Sequence, residues 1–189
     1  MSLGIHPLTS ERWPDLEKLF GPRGACGGCW CMYYRKSAKG FKQDVGQTNR
    51  LEFKALVDSC SIPPGLIGYL NGEPVAWIAI APRSDYPRLA NSRILAPVDE
   101  QPVWSISCLF VDRKHRKSGL SSLMVQAATD FAFEQGASIV EGYPHDLKGE
   151  TQPAPFVWTG LLGSFLKAGY SEVARRSPKR PIMRKGKRE

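Results

Sequence analysis

Residues 103–144 constrain the fold of this chain more than any other stretch. In VWSISCLFVD (103–112), Trp104, Ile106, Cys108 and Phe110 alternate with Val103, Ser105, Ser107, Leu109 and Val111, the period of a strand. The loop RKHRKSG follows. Leu120, Leu123, Met124, Ala127, Ala128 and Phe131 then recur at the spacing of a helix with one buried stripe, and Gly136 supplies its stop. SIVEGYP (138–144) reads as a second strand. A strand, a helix and a strand in this order return by a crossover, so the two strands are expected to lie parallel in one sheet.

The flanks extend this unit. Residues 10–20 predict a helix with Ser10 as N-cap, with Trp13, Leu16 and Phe20 on one face and Gly21-Pro22 ending it. Residues 48–60 predict another, with Leu51, Ala55 and Leu56 sharing a side. GLIGYL, NGE and PVAWIAIAP read strand, tight turn, strand, with Asn71-Gly72 as the hairpin signal. Residues 83–101 are irregular and too long for a plain connector, which suggests a substrate-side loop. Residues 156–168 predict a last helix, and 170–176 and 180–184 two closing strands. The expected fold class is α/β with a mixed sheet, and 189 residues suit one domain, 1–189.

No apolar run approaches the roughly 18 residues of a membrane helix, so no membrane partner is expected. The N-terminus MSLGIHPLTSERW lacks a basic stretch followed by an apolar one. The five cysteines are therefore read as reduced thiols of a cytoplasmic protein. The net charge of +8 is uneven: 8 of the 26 Lys/Arg fall in residues 175–189 beside one acidic residue, while the rest balances 18 basic against 17 acidic. The end at 185–189 reads as a solvated basic tail or as a contact for an anionic partner.

The turn DRKHRKSGLSS (112–122) carries the chemistry. A strand feeds a loop bearing Arg113, Lys114, Arg116 and Lys117, then Ser118-Gly119, then a helix. The first amides of that helix have no intrahelical acceptor, and with the helix dipole they make an anion site suited to phosphate. Gly119 admits a ligand to the backbone, and Ser121 and Ser122 stay small and can donate hydroxyls. A basic, capped helix start without a ligand is the alternative. The loop is neither a P-loop nor a GxGxxG dinucleotide turn.

Leu109-Phe110-Val111 followed by Arg116-Lys117-Ser118-Gly119-Leu120-Ser121 resembles motif A of the GNAT superfamily of acyl-CoA-dependent N-acetyltransferases, Arg/Gln-x-x-Gly-x-Gly/Ala after a strand ending Leu-x-Val. Ser121 stands where the family has Gly or Ala. GSFLKAGYSEV (163–173) resembles the family's closing segment. The resemblance implies a strongly twisted mixed sheet flanked by helices around the central βαβ unit, with acetyl-CoA as co-substrate in a cleft where residues 103–112 and 138–144 splay apart. It implies that backbone groups at Leu109 and Val111 hold the pantetheine arm and that the amides from Arg116 to Ser121, including Lys117, Ser118, Gly119 and Leu120, hold the pyrophosphate. It implies direct transfer of acetyl to a small-molecule or peptide amine. The family's usual tyrosine acid, in its last helix, is here Phe165.

Substitutes for that acid and for a base are Glu141 (base or structural carboxylate), Tyr143 (acid or half-buried aromatic), and Ser107, which with Ser105 could hold a relay water. Cys108 reads as a small core residue. In GACGGCWCMYYR (24–35), Cys26, Cys29 and Cys31 offer three thiols where a closed zinc site needs four ligands, so no metal is expected. The resemblance places this loop beside the acceptor, with Gly24, Gly27 and Gly28 lending mobility and Trp30, Tyr33 and Tyr34 as contacts; pinning the loop to the core is the alternative. Two other functions compete: a non-catalytic acyl-CoA sensor or adaptor, favoured by Phe165, and a nucleic-acid module using the basic end, disfavoured because no recognised motif accompanies it. A homodimer is compatible with the reading.

Overall fold

The computed structural model describes residues 3–153 and 156–187. The strands are β1 (Leu3–Pro7), β2 (Gly65–Leu70), β3 (Glu73–Pro82), β4 (Trp104–Val111), β5 (Ile139–Gly142), β6 (Ser171–Arg175) and β7 (Pro181–Gly186). The helices are α1 (Trp13–Phe20), α2 (Ala38–Gln43), α3 (Gln47–Ser59), α4 (Pro87–Ala90), α5 (Leu120–Glu134) and α6 (Leu162–Lys167). One mixed sheet runs β1-β2-β3-β4-β5-β7-β6. β4 and β5 are parallel, as the crossover through α5 requires, and every other pair is antiparallel. Asn71 and Gly72, with φ of 50° and 82°, turn β2 into β3 as Asn-Gly does in a two-residue hairpin.

Each face of the sheet has its own core. On one, Met124, Val125 and Ala128 of α5 pack on Ile78, Ile106 and Val140. On the other, Trp13 and Leu16 of α1 and Phe53 of α3 pack on Ile67, Trp77 and Ala79. Burying each large apolar side chain contributes roughly 1.5–3 kcal/mol, so the two stripes dictate that the sheet be covered on both sides.

Several expectations change. Ser10 caps nothing; its Oγ donates to Asp58 (2.7 Å), and residues 10–12 form a 3₁₀ turn before α1 begins. α3 buries Asn49, Phe53 and Val57 rather than a face including Leu51, which is exposed. β1 and α2 carry too little apolar periodicity to be read from sequence: β1 is a short edge strand, and α2 is held by the Ser37 side chain accepting from the Gly40 amide. α6 is shorter than the span 156–168, because residues before 161 turn rather than coil.

The C-terminal boundary also moves. β7 runs to Gly186, and Lys185 inside it donates to the Ala168 carbonyl (2.7 Å) and to Gln126 (2.8 Å). Lys185 is thus part of the fold rather than the start of a tail, while Arg188 and Glu189 lie outside the described residues. Among those residues no helix is long and apolar enough to cross a membrane.

Candidate active site

The alternation in β4 breaks at Ser107. Ala79 pairs with Cys108 and Ile80 with Ile106, so Ser107 is the extra residue of a β-bulge. A bulge shifts the phase of a strand by one. Ile106 therefore faces α5, Cys108 and Phe110 face α1, and Leu109 and Val111 return to the α5 side, which corrects the single face expected for Trp104, Ile106, Cys108 and Phe110.

β4 and β5 stay paired only from Trp104–Val140 to Ile106–Gly142. Beyond the bulge they separate, and a cleft of about 900 Å³ opens along the freed edge of β4. The wall opposite is the turn 157–161, tied down by the His145 amide donating to the Gly160 carbonyl (2.9 Å) and the Leu162 amide to the His145 carbonyl (3.0 Å).

One end of the cleft is the start of α5. Gly119 is its N-cap at φ 83°, a backbone shape that a side chain strains, and a Cβ there would point into open space. Among the described residues the amides of 119–121 have no backbone acceptor, and Ser122 is the first to reach one, at Gly119 (3.0 Å). Arg116, Lys117, Gly119 and Ser121 line this end, and Lys167 of α6 adds a third cation. Arg116 is aimed by its Nε donating to the Val111 carbonyl (2.9 Å). Ser118 instead turns its Oγ onto the His115 carbonyl (2.6 Å), and the Leu120 side chain is buried in the core, so these two contribute backbone only. Free amides, a glycine opening and three cations fit the diphosphate of coenzyme A.

Leu109 and Val111 line the middle. The Leu109 N–H points into the gap but already donates to the Trp158 carbonyl (2.7 Å). At the far end stand Ser107, Cys108, Tyr33 and Tyr34, joined by Phe41 and Trp158, which sequence reasoning did not single out. Phe41 belongs to the short α2, and Trp158 falls in a stretch read as helix, so neither carried a periodic signal. Burial pushes the Tyr34 phenol up despite the opposing charges of Arg180 and Arg88, so it keeps its proton.

Several candidates are placed elsewhere. Trp30 is buried against Trp13 (ring centroids 5.9 Å) and does not line this cleft; the pinning role describes it. Two of the loop's glycines serve close packing: a Cβ on Gly24 would come within 2.3 Å of the Trp30 indole, and one on Gly28 within 2.6 Å of the Gly46 backbone, whereas Gly27 is open and lines the cleft with Ala25, Cys26 and Cys29. Phe165 is fully buried with its ring on Gly142, where a Cβ would lie 2.1 Å from it. Residues 83–101 do not line the cleft either.

Glu141 and Tyr143 are likewise absent from the cleft wall. The Glu141 carboxylate is fully buried and accepts from Arg83 (2.9 Å), Arg184 (2.7 Å) and the Tyr143 hydroxyl (2.7 Å). Tyr143 in turn bonds Ser105 (2.8 Å) and accepts from Arg83. Arg83 also donates to the carbonyls of Leu89 (3.3 Å) and Leu95 (2.5 Å), and Arg184 to Asp99 (2.6 Å), so the network clasps the 83–101 loop to the sheet. A carboxylate held by two guanidiniums away from the cleft is a structural counter-ion and has no path to an acceptor proton.

The cysteines are free, and Cys26, Cys29, Cys31 and Cys108 all border the cleft. Cys26 is exposed; Cys29 donates to the Gly24 carbonyl (3.5 Å); Cys31 is buried, its sulfur accepting from Trp77 Nε1 (3.0 Å). Burial raises the Cys29 thiol to about 11, helped by its neighbour Cys31, and burial drives Cys31 up as well. Among the described residues no three His, Cys, Asp or Glu side chains are grouped to hold an ion. Purified protein is expected to carry no stoichiometric zinc, and a chelator to leave its Tm unchanged; one zinc per chain, lost on unfolding, would contradict this.

His145, whose backbone ties down the turn 157–161, is lowered to about 4 by burial and then by Arg180, whose Nη1 lies 2.8 Å from its Nε2. Its folded value lies below that of an exposed histidine, near 6.5, so between these pH values the unfolded chain binds more protons. Stability from this group is full above 6.5 and is lost as pH falls toward 4. Thermal melts at pH 7 and pH 5 are expected to show a drop that His145→Gln reduces.

Comparison with known proteins agrees with this geometry. The sequence profile of the Acetyltransferase (GNAT) family matches residues 30–145. No curated protein matches the chain. Among solved structures, the PaiA N-acetyltransferase of Thermoplasma acidophilum in complex with coenzyme A superposes with a TM-score of 0.55 at 14% identity, covering 99% of this chain and 100% of that one. The GNAT domain of S. lividans PAT does so at 0.52 and 14%, covering 96% and 89%, and a GNAT-family acetyltransferase of Streptococcus pneumoniae at 0.52 and 11%, covering 98% and 99%. At such identities the likeness is one of fold, while the profile match spans more than half of the sequence. The chain belongs to the GNAT family of N-acetyltransferases, enzymes that move an acetyl group from acetyl-CoA to an amine.

Proposed function

We propose that the cleft along β4 is the active site and that this chain acetylates a small-molecule or peptide amine by direct transfer in the cytoplasm, where its five free thiols stay reduced. The observation that carries this reading is the continuity of the cleft, from the unbonded amides of α5 along Leu109 and Val111 to the aromatic end at Tyr33 and Tyr34. The diphosphate sits at residues 116–121 and the pantetheine follows β4. The neutral amine nitrogen attacks the thioester carbon, the C–N bond forms, the C–S bond breaks, and the amine's proton is passed on as CoA leaves. Tyr34, which keeps its proton, is the donor to the departing sulfur, and Ser107 at the bulge holds the relay water. Glu141 and Tyr143 have no part in proton transfer.

The test is calorimetric titration with CoA, followed by turnover of acetyl-CoA with amine acceptors read as free thiol. CoA binding without turnover of any amine would favour the sensor alternative. Because pantetheine competes for the Leu109 amide, the Trp158 turn has to adjust. CoA is therefore expected to change the tryptophan emission, and Trp158→Phe to remove most of that change; an unaltered response in Trp158→Phe would mean that the turn stays put.

A further inference from the structure

We infer that the acceptor is a primary amine carried on an aromatic, otherwise uncharged or anionic body, and not a polycation such as a polyamine or aminoglycoside. This rests on the acetyltransferase reading and concerns the acceptor end of the same cleft. Four rings gather there: Trp158 stands 4.9 Å from Tyr33 and 5.2 Å from Tyr34 between centroids, and Phe41 stands 5.3 Å from Tyr33. All four line the cleft, and Tyr33, Phe41 and Trp158 are partly exposed. An aromatic guest adds edge-to-face and offset contacts to such a box.

The charges at this end agree. Among the described residues the cleft wall contains no Asp and no Glu, while Arg116, Lys117 and Lys167 line its other end. Behind the box, Arg88 lies 3.7 Å from the Tyr33 ring centroid and donates to the Tyr33 carbonyl (3.3 Å), and Arg180 acts on Tyr34. Arg88 thus already engages the π system of Tyr33, which weakens that ring as a cation receptor. An acceptor with several ammonium groups would bury unpaired positive charge among cations. A single amine gains instead: burial in this field favours its neutral, nucleophilic form, so transfer can proceed without a carboxylate base in the cleft. The proton lost from nitrogen passes through the relay water to replace the one Tyr34 gives to the CoA sulfur, and the acetyl carbon exchanges sulfur for nitrogen.

The experiment uses the full chain with acetyl-CoA and four acceptors: 2-phenylethylamine, tryptamine, spermidine and kanamycin. Free thiol and product mass are the readouts, and binding of 2-phenylethylamine to the CoA complex is followed separately by saturation-transfer NMR. The aromatic amines are expected to exceed the polycations in kcat/KM by at least about tenfold. Phe41→Glu, which places a carboxylate in the half-buried box, is expected to raise spermidine turnover, and Trp158→Ala to narrow the aromatic advantage. Polycations turned over as well as or better than the aromatic amines would overturn the inference, as would tight CoA binding with no binding or turnover of either aromatic amine. Failure to bind CoA at all would strike the acetyltransferase reading itself and the inference with it.

Discussion

Gly119→Glu is expected to weaken CoA binding at least about 100-fold while the protein stays folded. Two effects add. Gly119 sits at φ 83°, so any side chain costs roughly 1–2 kcal/mol of backbone strain. The larger effect is charge: a carboxylate about 4 Å from the diphosphate repels it by roughly 4 kcal/mol at an effective dielectric of 20. A Cβ at Gly119 meets nothing within 4 Å, so the change does not jam the core, and melting should fall only modestly. Gly119→Ala separates the two effects, since it carries the strain alone and should retain CoA affinity within about tenfold. Calorimetry on both folded variants decides: wild-type affinity in the glutamate variant means that the diphosphate lies elsewhere.

Glu141→Ala is expected to cost roughly 3–5 kcal/mol of stability, because it leaves the Arg83 and Arg184 guanidiniums facing one another without their buried counter-ion. Against a typical total of about 5–15 kcal/mol this is a large share. For a chain of this size it should lower Tm by roughly 6–20 °C. The test also separates structure from catalysis. Glu141→Gln keeps the shape and part of the hydrogen bonding. Assayed well below its Tm, it should retain kcat within a few fold and keep the wild-type pH profile of kcat/KM. A loss of several hundredfold in kcat in a folded glutamine variant, with a shifted acid limb, would restore Glu141 as the base.

The parts of this molecule legible in sequence are those governed by local pattern. The period of Leu120 to Phe131, the Asn71-Gly72 turn and the Arg116–Ser121 loop each state their conformation within a few neighbouring residues, and the α/β class, the parallel pair and the anion end of the cleft follow from them. What lay beyond the sequence depends on partners distant along the chain. The phase of β4 turns on a bulge at Ser107, which exists only in the pairing of β4 with β3. Glu141 reads as a lone carboxylate until Arg83 and Arg184 close on it from 58 and 43 positions away. Trp30, Tyr33 and Tyr34 are near neighbours of one apparent kind. Packing buries Trp30 on Trp13, while the two tyrosines meet Phe41 and Trp158 at the cleft. Local propensity is carried by a few adjacent side chains and so is written in order along the chain. A charge's counter-ion, a strand's register and a pocket's far wall are set only when remote segments meet, which is why the tertiary structure alone decided the aromatic end of this cleft.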